Sequence, residues 1–578
     1  MGVTERLARA SSRHPWRTLG AWLAAIVLAL ACAVLFLPGN LTTDGHVTGN
    51  PPSAQAERLF NDRFPPDKNG VDELIVVHSA TMKVDDPAFR EFTRSLVQRA
   101  ESTGAVFRAL TYYDRGDPAL ISADQHATLI EIQRKDDVDP LLPVVEGADG
   151  RDGFTVAMTG EGTLDHDFNE LSQHDLTSGE LEVGLPAALV VLLLVFGAVV
   201  AGLMPLVMAV ISIIVALGLC ALIAAGFTLS VFVVNMLTGM GLALGIDYSL
   251  FVVSRYREER VGGRTELEAI AASGATASRA VLFSGSVFVI ALTGMLLVPS
   301  NVMKSLAVGA ITVGIVSVLA ALTLLPALLG LLGDRVNALR LPWIGRSIGA
   351  GQEGRFWGAV VRAVMRRPVV SLVAFTALLV ALAVPTLGLD LGASGVSTLP
   401  NRLESKKGYE ALARDFPEQS TSPALIAVVG GAGPTQAHRV SQAIGRLREE
   451  LADDPVFGGG SDLRISPDGD VAAIGVRVAG DKTGPEALAA IRHLRSTVIP
   501  RVFEGTDARV YVGGDTADNV DFIDAMNAWL PYVFVFVLGL SFVLLTVVFR
   551  SIVIAAVSIA LNLLSVGAAY GLVILVFK

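Results

Sequence analysis

Nine stretches of this chain stay apolar for about twenty residues each, the length that carries an α-helix across a bilayer. They cover residues 18–38, 184–202, 204–225, 230–254, 280–299, 303–332, 369–389, 528–548 and 551–577. Two long polar blocks interrupt them, 39–183 after the first span and 390–527 after the seventh. The other loops are short, apart from 333–368. This pattern predicts a polytopic α-helical membrane protein carrying two folded polar domains. The first apolar run, Leu19 to Leu37, is about 19 residues long. A signal-peptide core runs to roughly 7–15, and no clear A-x-A site precedes the polar block, so the run reads as a retained span.

Inside the polar blocks the hydrophobic period changes. In the first, Glu73–Ser79, Ala127–Gln133 and Phe154–Gly160 read as strands, with a helix near Asp86–Glu101. In the second, Pro423–Gly430, Val471–Val478 and Ala508–Gly514 read as strands, with helices near Thr435–Leu451 and Gly484–Val498. Strands alternating with helical patterns suggest βαβ units, and hence two small α/β domains.

Composition agrees with the membrane class. The chain is 52% hydrophobic and 17% charged, against about 25% charged in an ordinary soluble domain. Its net charge of −10 is strongly sorted along the sequence. Arg6, Arg9, Arg13 and Arg17 precede the first span. Arg255, Arg257, Arg260, Arg264 and Arg279 flank the loop after the fourth, and Arg335, Arg340, Arg346, Arg355, Arg362, Arg366 and Arg367 fill 333–368. Basic residues in short loops mark the cytoplasmic side. The expected topology in the cytoplasmic membrane therefore has its N-terminus inside and both polar blocks outside. The first block is acid-rich, with Asp136, Asp137, Asp139, Glu146, Asp149 and Asp152. No basic domain invites nucleic acid. Cys32 and Cys220 both fall in apolar spans and outline neither a disulfide framework nor a metal site.

The chain nearly repeats itself with an offset of 353. Pro15 and Pro368 each follow a basic pair just before a span. Gly160, Thr163 and Asp165 match Gly513, Thr516 and Asp518; Phe196 matches Phe549; Gly218-Leu219 matches Gly571-Leu572. Arg63-Phe64-Pro65 and Asp415-Phe416-Pro417 align with a one-residue gap. Single matches are weak, but a shared offset is not a chance pattern. Duplicated halves that start from the same side are a transporter arrangement. The first half has six spans and the second reaches only its third at Lys578, so a chain truncated after the ninth of twelve spans is expected, with spans ten to twelve absent.

One residue breaks the apolar logic. From Phe227 to Tyr256 the only acid is Asp247, in Gly245-Ile246-Asp247-Tyr248. A charge at mid-bilayer costs about 2.5–3.5 kcal/mol on insertion scales, and such a residue normally faces the bundle interior on an ion or proton path. A proton crossing the membrane releases about 2.3 kcal/mol per 100 mV. Harvesting that energy needs a group that is neutral in one conformation and charged in another, which a carboxyl in low dielectric can be. Tyr248 can donate a hydrogen bond to the charged form. Ser284 and Ser286 on the fifth span are candidate polar neighbours, with hydrogen bonding to their own helix as the plainer reading. Gly239, Gly241 and Gly245 precede the acid, as helix packing requires, or as a hinge would. An acid that only holds helices together remains the alternative for Asp247.

Two segments carry a family resemblance: Gly245-Ile246-Asp247-Tyr248-Ser249-Leu250-Phe251, and Ala275-Thr276-Ala277-Ser278-Arg279-Ala280-Val281-Leu282-Phe283-Ser284-Gly285. With them, the whole chain resembles the MMPL family (mycobacterial membrane protein large) of the resistance–nodulation–division superfamily. The resemblance implies two external, ferredoxin-like porter domains and proton-driven export of lipids or other large hydrophobic molecules, with protons as the coupling ion, no cofactor, and accessory cell-envelope proteins as possible partners. It also implies a proton role for the Asp247-Tyr248 pair; Ser284 and Ser286 are the candidate relay neighbours, and Gly241 and Gly245 the helix-packing residues beside it. In the family a second Asp-Tyr pair on span ten faces the first; its counterpart here would fall near position 600, past Lys578.

Other chemistries find no footing. Gly430-Gly431-Ala432-Gly433-Pro434 lacks the Gly-Lys-Ser/Thr of a phosphate loop. The eight histidines lie outside the spans and pair with no cysteine at metal spacing; Asp165-His166-Asp167 reads as a solvated helix start. No hydrolase signature stands out. A secondary transporter is therefore expected rather than an enzyme. A truncated membrane protein that binds lipid or a partner without pumping is the alternative, and a sterol-sensing receptor fits the motifs less well.

Overall fold

The computed structural model describes residues 2–43, 45, 47–64, 71–135, 137–340, 355–388, 396–417, 419, 422–430, 434–457, 461–479 and 483–577. Asp136, Arg346 and the glycine-rich stretch 431–433 lie outside them. Contacts divide the chain into two compact units, one of residues 1–45, 172–390 and 526–578, the other of 46–171 and 391–525.

The chain opens with α1 (Val3–Arg13) and α2 (Pro15–Phe36). The first polar block runs α3 (Pro52–Arg63), β1 (Glu73–Ser79), α4 (Pro87–Ser102), β2 (Val106–Thr111), β3 (Ala127–Arg134), α5 (Leu142–Glu146) and β4 (Phe154–Gly160). One helical run then continues from α6 (Glu161–His174), through a π-helical stretch Asp175–Gly184, into α7 (Leu185–Phe196). After it come α8 (Val199–Ala224), α9 (Phe232–Val261), α10 (Glu266–Ala275), α11 (Ala277–Leu292), α12 (Asn301–Leu322), α13 (Leu324–Leu332), α14 (Arg355–Arg366) and α15 (Pro368–Ala383). The second block runs α16 (Glu404–Asp415), β5 (Ser422–Val429), α17 (Pro434–Asp453), β6 (Ser461–Ile465), β7 (Val471–Val478), α18 (Pro485–His493) and β8 (Arg509–Gly513). Helices α19 (Asp515–Phe549) and α20 (Ile552–Phe577) complete the described chain.

Among the described residues, nine helices are long and apolar enough to cross a membrane. They fall on the nine apolar stretches; several run past them, as Glu161–Phe196 and Asp515–Phe549 do at their starts and Phe232–Val261 does at its end, and one stops short. Hydropathy runs on to residue 202, but the second span ends at Phe196 because Gly197 turns left-handed, at φ 61°. A glycine takes that conformation at a helix end without a Cβ penalty. Arg550 makes the same turn between α19 and α20, at φ 50°. At one end of the bundle Ala8 of α1 packs on Gly274 of α10, and Arg260 binds Asp334 at 3.1 Å. The N-terminal helix and the two arginine-bearing loops after α9 and α13 therefore share that end.

The two polar blocks have the same strand topology. Sheet one is ordered β2-β3-β1-β4 and sheet two β6-β7-β5-β8. Every neighbouring pair is antiparallel. The crossover through α4 is thus split: β1 and β2 run parallel, but β3 lies between them. β2 and β6 carry no clear apolar alternation: in β2 only Thr111 is buried, and Ile465 of β6 is exposed.

Strand β1 reads as a nearly unbroken apolar run because both of its faces are covered. On one face Ile75 and Val77 pack with Phe89, Phe92 and Leu96 of α4. On the other, Val76 packs with Ala411, Leu412 and Phe416 of α16, a helix from the second half of the chain. The exchange is reciprocal: Phe60 and Phe64, in and just after α3, pack on Val471 and Ala473 of β7. Glycines permit both close approaches. A Cβ on Gly408 would strike the backbone of Met158, and one on Gly513 would lie 2.9 Å from the Ala56 Cβ. Carboxylates complete the N-termini of the exchanged helices. Asp167 accepts the Ser405 N–H at 2.7 Å, and Asp521 accepts the Ser53 N–H at 2.9 Å. Asp167 is therefore a buried cap, not part of a solvated helix start.

Two buried glutamates make this unit sensitive to pH. Burial pushes the carboxyls of Glu73 and Glu404 up. Opposing this, Glu73 accepts from the Thr163 hydroxyl and the Gly162 N–H, and Glu404 accepts the Met158 N–H at 3.0 Å. The folded state therefore binds these protons more tightly than the unfolded chain. The stability they contribute is full below about pH 4.5, the ordinary glutamate value, and falls as pH rises through the raised folded values. Thermal melts across that range should show a declining midpoint. Glu404→Gln keeps the acceptor for Met158 and should flatten the decline; an unchanged slope would show that Glu404 does not contribute to it.

Candidate functional site

Helix α9 forms the site, and its small residues decide which face is buried. Leu237, Gly241, Gly245, Ser249, Val252 and Tyr256 recur every three or four residues and are buried. A Cβ on Gly245 would sit 2.5 Å from the Ala209 Cα of α8, and one on Gly241 would collide with Ile213 of α8. The helix backbones therefore meet along this stripe.

Asp247 lies off the stripe. With Ala243 and Phe251 it forms a second line at helical spacing, and all three are exposed. With Gly241 and Gly245 buried against α8, Asp247 is left exposed in the described chain rather than enclosed by it. Among the described residues no cation pairs with it.

Tyr248 is 8% exposed and packs into the bundle core. Its hydroxyl meets the Ser284 side chain and lies near the Asp247 carboxylate. Gly285 makes this possible, since a Cβ there would lie 3.3 Å from the Tyr248 hydroxyl and would collide with Val318 of α12. Helices α9, α11 and α12 converge at this point. Ser284 donates to the Val281 carbonyl at 3.2 Å and Ser286 to the Leu282 carbonyl at 2.7 Å. Ser286 is exposed and is placed by this bond to its own helix. The structure thus brings Asp247, Tyr248 and Ser284 together and leaves Ser286 to one side.

A second polar group escapes the sequence pattern. Glu180 belongs to the π-helical stretch, in what hydropathy assigns to the first polar block. It meets the Thr238 side chain, and its Oε1 lies 3.0 Å from where a Gly239 Cβ would be. Nearby, Ser172 donates to Asn235 at 3.0 Å. The available signal was an acid a few residues before a span.

His166, Asp167 and Glu170 bring potential metal-ligand atoms within 4.8 Å of one another. Asp139 already binds His166 at 2.7 Å and the Ser405 N–H engages Asp167, so existing hydrogen bonds account for this cluster.

Among the described residues, nine apolar helices, the fourth with Asp247 as its lone acid up to Tyr256, define a multi-pass membrane protein. The MMPL family matches residues 48–371 and 397–578, and the chain belongs to that family. It is 30% identical over 587 residues to the mycolic acid-containing lipids exporter MmpL11 of Mycolicibacterium smegmatis, covering 99% of this chain and 60% of that protein. It is 28% identical to the trehalose monomycolate exporter MmpL3 of Mycobacterium tuberculosis, over 94% of this chain and 61% of that protein. A third relative, the heme uptake protein MmpL11 of M. tuberculosis, is 34% identical over 72% of this chain and 43% of its own length. The chain thus spans about half the length of these curated relatives.

Proposed function

We propose that this protein takes part in proton-driven export of lipids or similar hydrophobic molecules across the cytoplasmic membrane. The observation that carries the reading is the Asp247–Tyr248 pair: a lone intramembrane acid beside a buried tyrosine whose hydroxyl meets Ser284 where three helices converge. Proton movement on and off Asp247 changes the charge on α9. Tyr248 and Ser284 tie that change to α11, and Gly241 and Gly245 couple α9 closely to α8. The names of two relatives, both lipid exporters, support a lipidic substrate.

The two α/β blocks act as external, ferredoxin-like porter domains. Their shared strand order and the matched turns at Gly197 and Arg550 support an internal repeat. The bundle end that gathers the arginine-bearing loops is the cytoplasmic one, by the bias of basic residues to that side.

The test uses sealed vesicles containing the full chain and a fluorescently tailed phospholipid. Its movement should be driven by an imposed proton gradient and stop when an ionophore collapses that gradient. Movement unaffected by the ionophore would sink proton coupling. The exposure of Asp247 favours one second reading, a lipid-binding membrane protein that does not pump; no gradient-driven movement at all would support it.

A further inference from the structure

We propose that Glu180 is the outer proton-loading group of this relay, taking protons at the external end of the bundle and passing them along α9 toward Asp247. The inference rests on the proton-coupled reading above. Its geometry is separate from that of Asp247.

Glu180 sits in the π-helical stretch Asp175–Gly184, within the run that joins α6 to α7. Such insertions are frequent at functional sites, since the wider turn leaves local backbone groups less regularly paired. One oxygen, Oε1, faces α9 at Gly239; the other, Oε2, is buried without a hydrogen-bond partner among the described residues. Gly239 leaves room for the carboxyl where any Cβ would crowd it.

Hydrogen-bond inventory shows what Thr238 offers. Its single hydroxyl hydrogen is directed to the Val234 and Asn235 carbonyls, at 2.9 and 3.0 Å. While that hydrogen rests on a carbonyl, the Thr238 oxygen can accept from a protonated Glu180; rotated toward Glu180, it donates to the carboxylate, so it serves both protonation states. No counter-ion competes. The elements packed against the π-helical stretch are α7 and the first half of α9, and neither Leu185–Phe196 nor Phe232–Ile246 contains a charged residue. On its own segment the titratable neighbours are His174, Asp175 and Glu182. The site can thus hold a proton without an ion pair, as a loading group must.

Position completes the case. Gly239 and Asp247 are eight residues apart on one helix, a rise of about 12 Å. Direct contact does not span that distance, so the transfer requires intervening water. Glu180 meets α9 on the N-terminal side of Asp247, the end that the proposed orientation places outside, where protons enter an exporter.

A hydrophobic carbodiimide tests this without a known substrate, because it modifies protonated carboxyls in apolar surroundings. The full chain is sealed in vesicles with both α/β blocks facing the bath, the lumen kept alkaline and the bath made progressively acidic. Modification at Glu180 and Asp247 is read by mass spectrometry. In the wild type both should rise as the bath is acidified. In Glu180→Gln, labelling of Asp247 under an acid bath should fall by about a hundredfold, and Glu180→Asp should restore much of it. A merely structural Glu180 would leave the Asp247 response unmoved in Glu180→Gln, since glutamine fills the same space; that result overturns this inference alone. Asp247 that never labels at any bath pH overturns the proton-coupled reading itself. Should Glu180→Gln fail to fold, Glu180→Met takes its place and should lower Asp247 labelling in the same way; an unmoved Asp247 response there also counts against the proposal.

Discussion

Asp247→Asn should lower proton-driven lipid movement by about a hundredfold or more, the usual contribution of a positioned proton-transfer group, while leaving the fold intact. Asparagine matches aspartate in size but cannot exchange a proton. Asp247 is exposed, and the amide fills the same space. Removing its charge also removes a cost of about 2.5–3.5 kcal/mol for an ionised group in the bilayer. Thermal stability in detergent should therefore hold or rise while transport collapses. That separation of readouts is informative, because a misfolded variant would lose both. Tyr248→Phe should show a smaller loss, since the hydroxyl shared with Ser284 assists the acid without carrying the proton. Gradient-driven movement by Asp247→Asn at the wild-type rate would remove the basis of the proton-coupled reading.

The second large effect is structural. Gly245→Val should destabilise the bundle, because the new Cβ would lie 2.5 Å from the Ala209 Cα and 3.1 Å from its backbone nitrogen. A side chain could rotate away, but a backbone cannot, so α8 and α9 must separate. Overpacking of a close interface costs about 1–3 kcal/mol, occasionally more. A lower unfolding midpoint in detergent is expected, along with displacement of Asp247 two residues away. Gly539→Ala in α19 is the control, since a Cβ there meets nothing within 4 Å. Equal midpoints for Gly245→Val and the wild type would show that α8 and α9 are not held as closely as this geometry requires.

Some elements were legible in the sequence and others were not, for identifiable reasons. Strands β1, β4 and β7 lie where the residue pattern predicts them, because central or doubly covered strands must be apolar. β2 and β6 were invisible because few of their side chains are buried, only Thr111 in β2 while Ile465 of β6 is exposed, whereas β4, also an edge strand, is buried along most of its length. The continuous hydropathy through Gly197 concealed a turn that depends on one glycine's conformation. Glu180 was hidden by its own polarity, which placed it in a loop by composition, while its contact with α9 depends on the turn of a π-helix.

The sequence by itself determined the nine apolar helices, the membrane class and the presence of one acid among the apolar residues of the fourth span, because hydropathy and chain length act locally. Only the tertiary structure decided which way that acid points, that α3 and α16 exchange sheets, and that Tyr248 reaches Ser284. Those outcomes depend on which surfaces meet. Glycines at the contacts set that by allowing backbones to approach, and no local period along the chain records which partner they will meet.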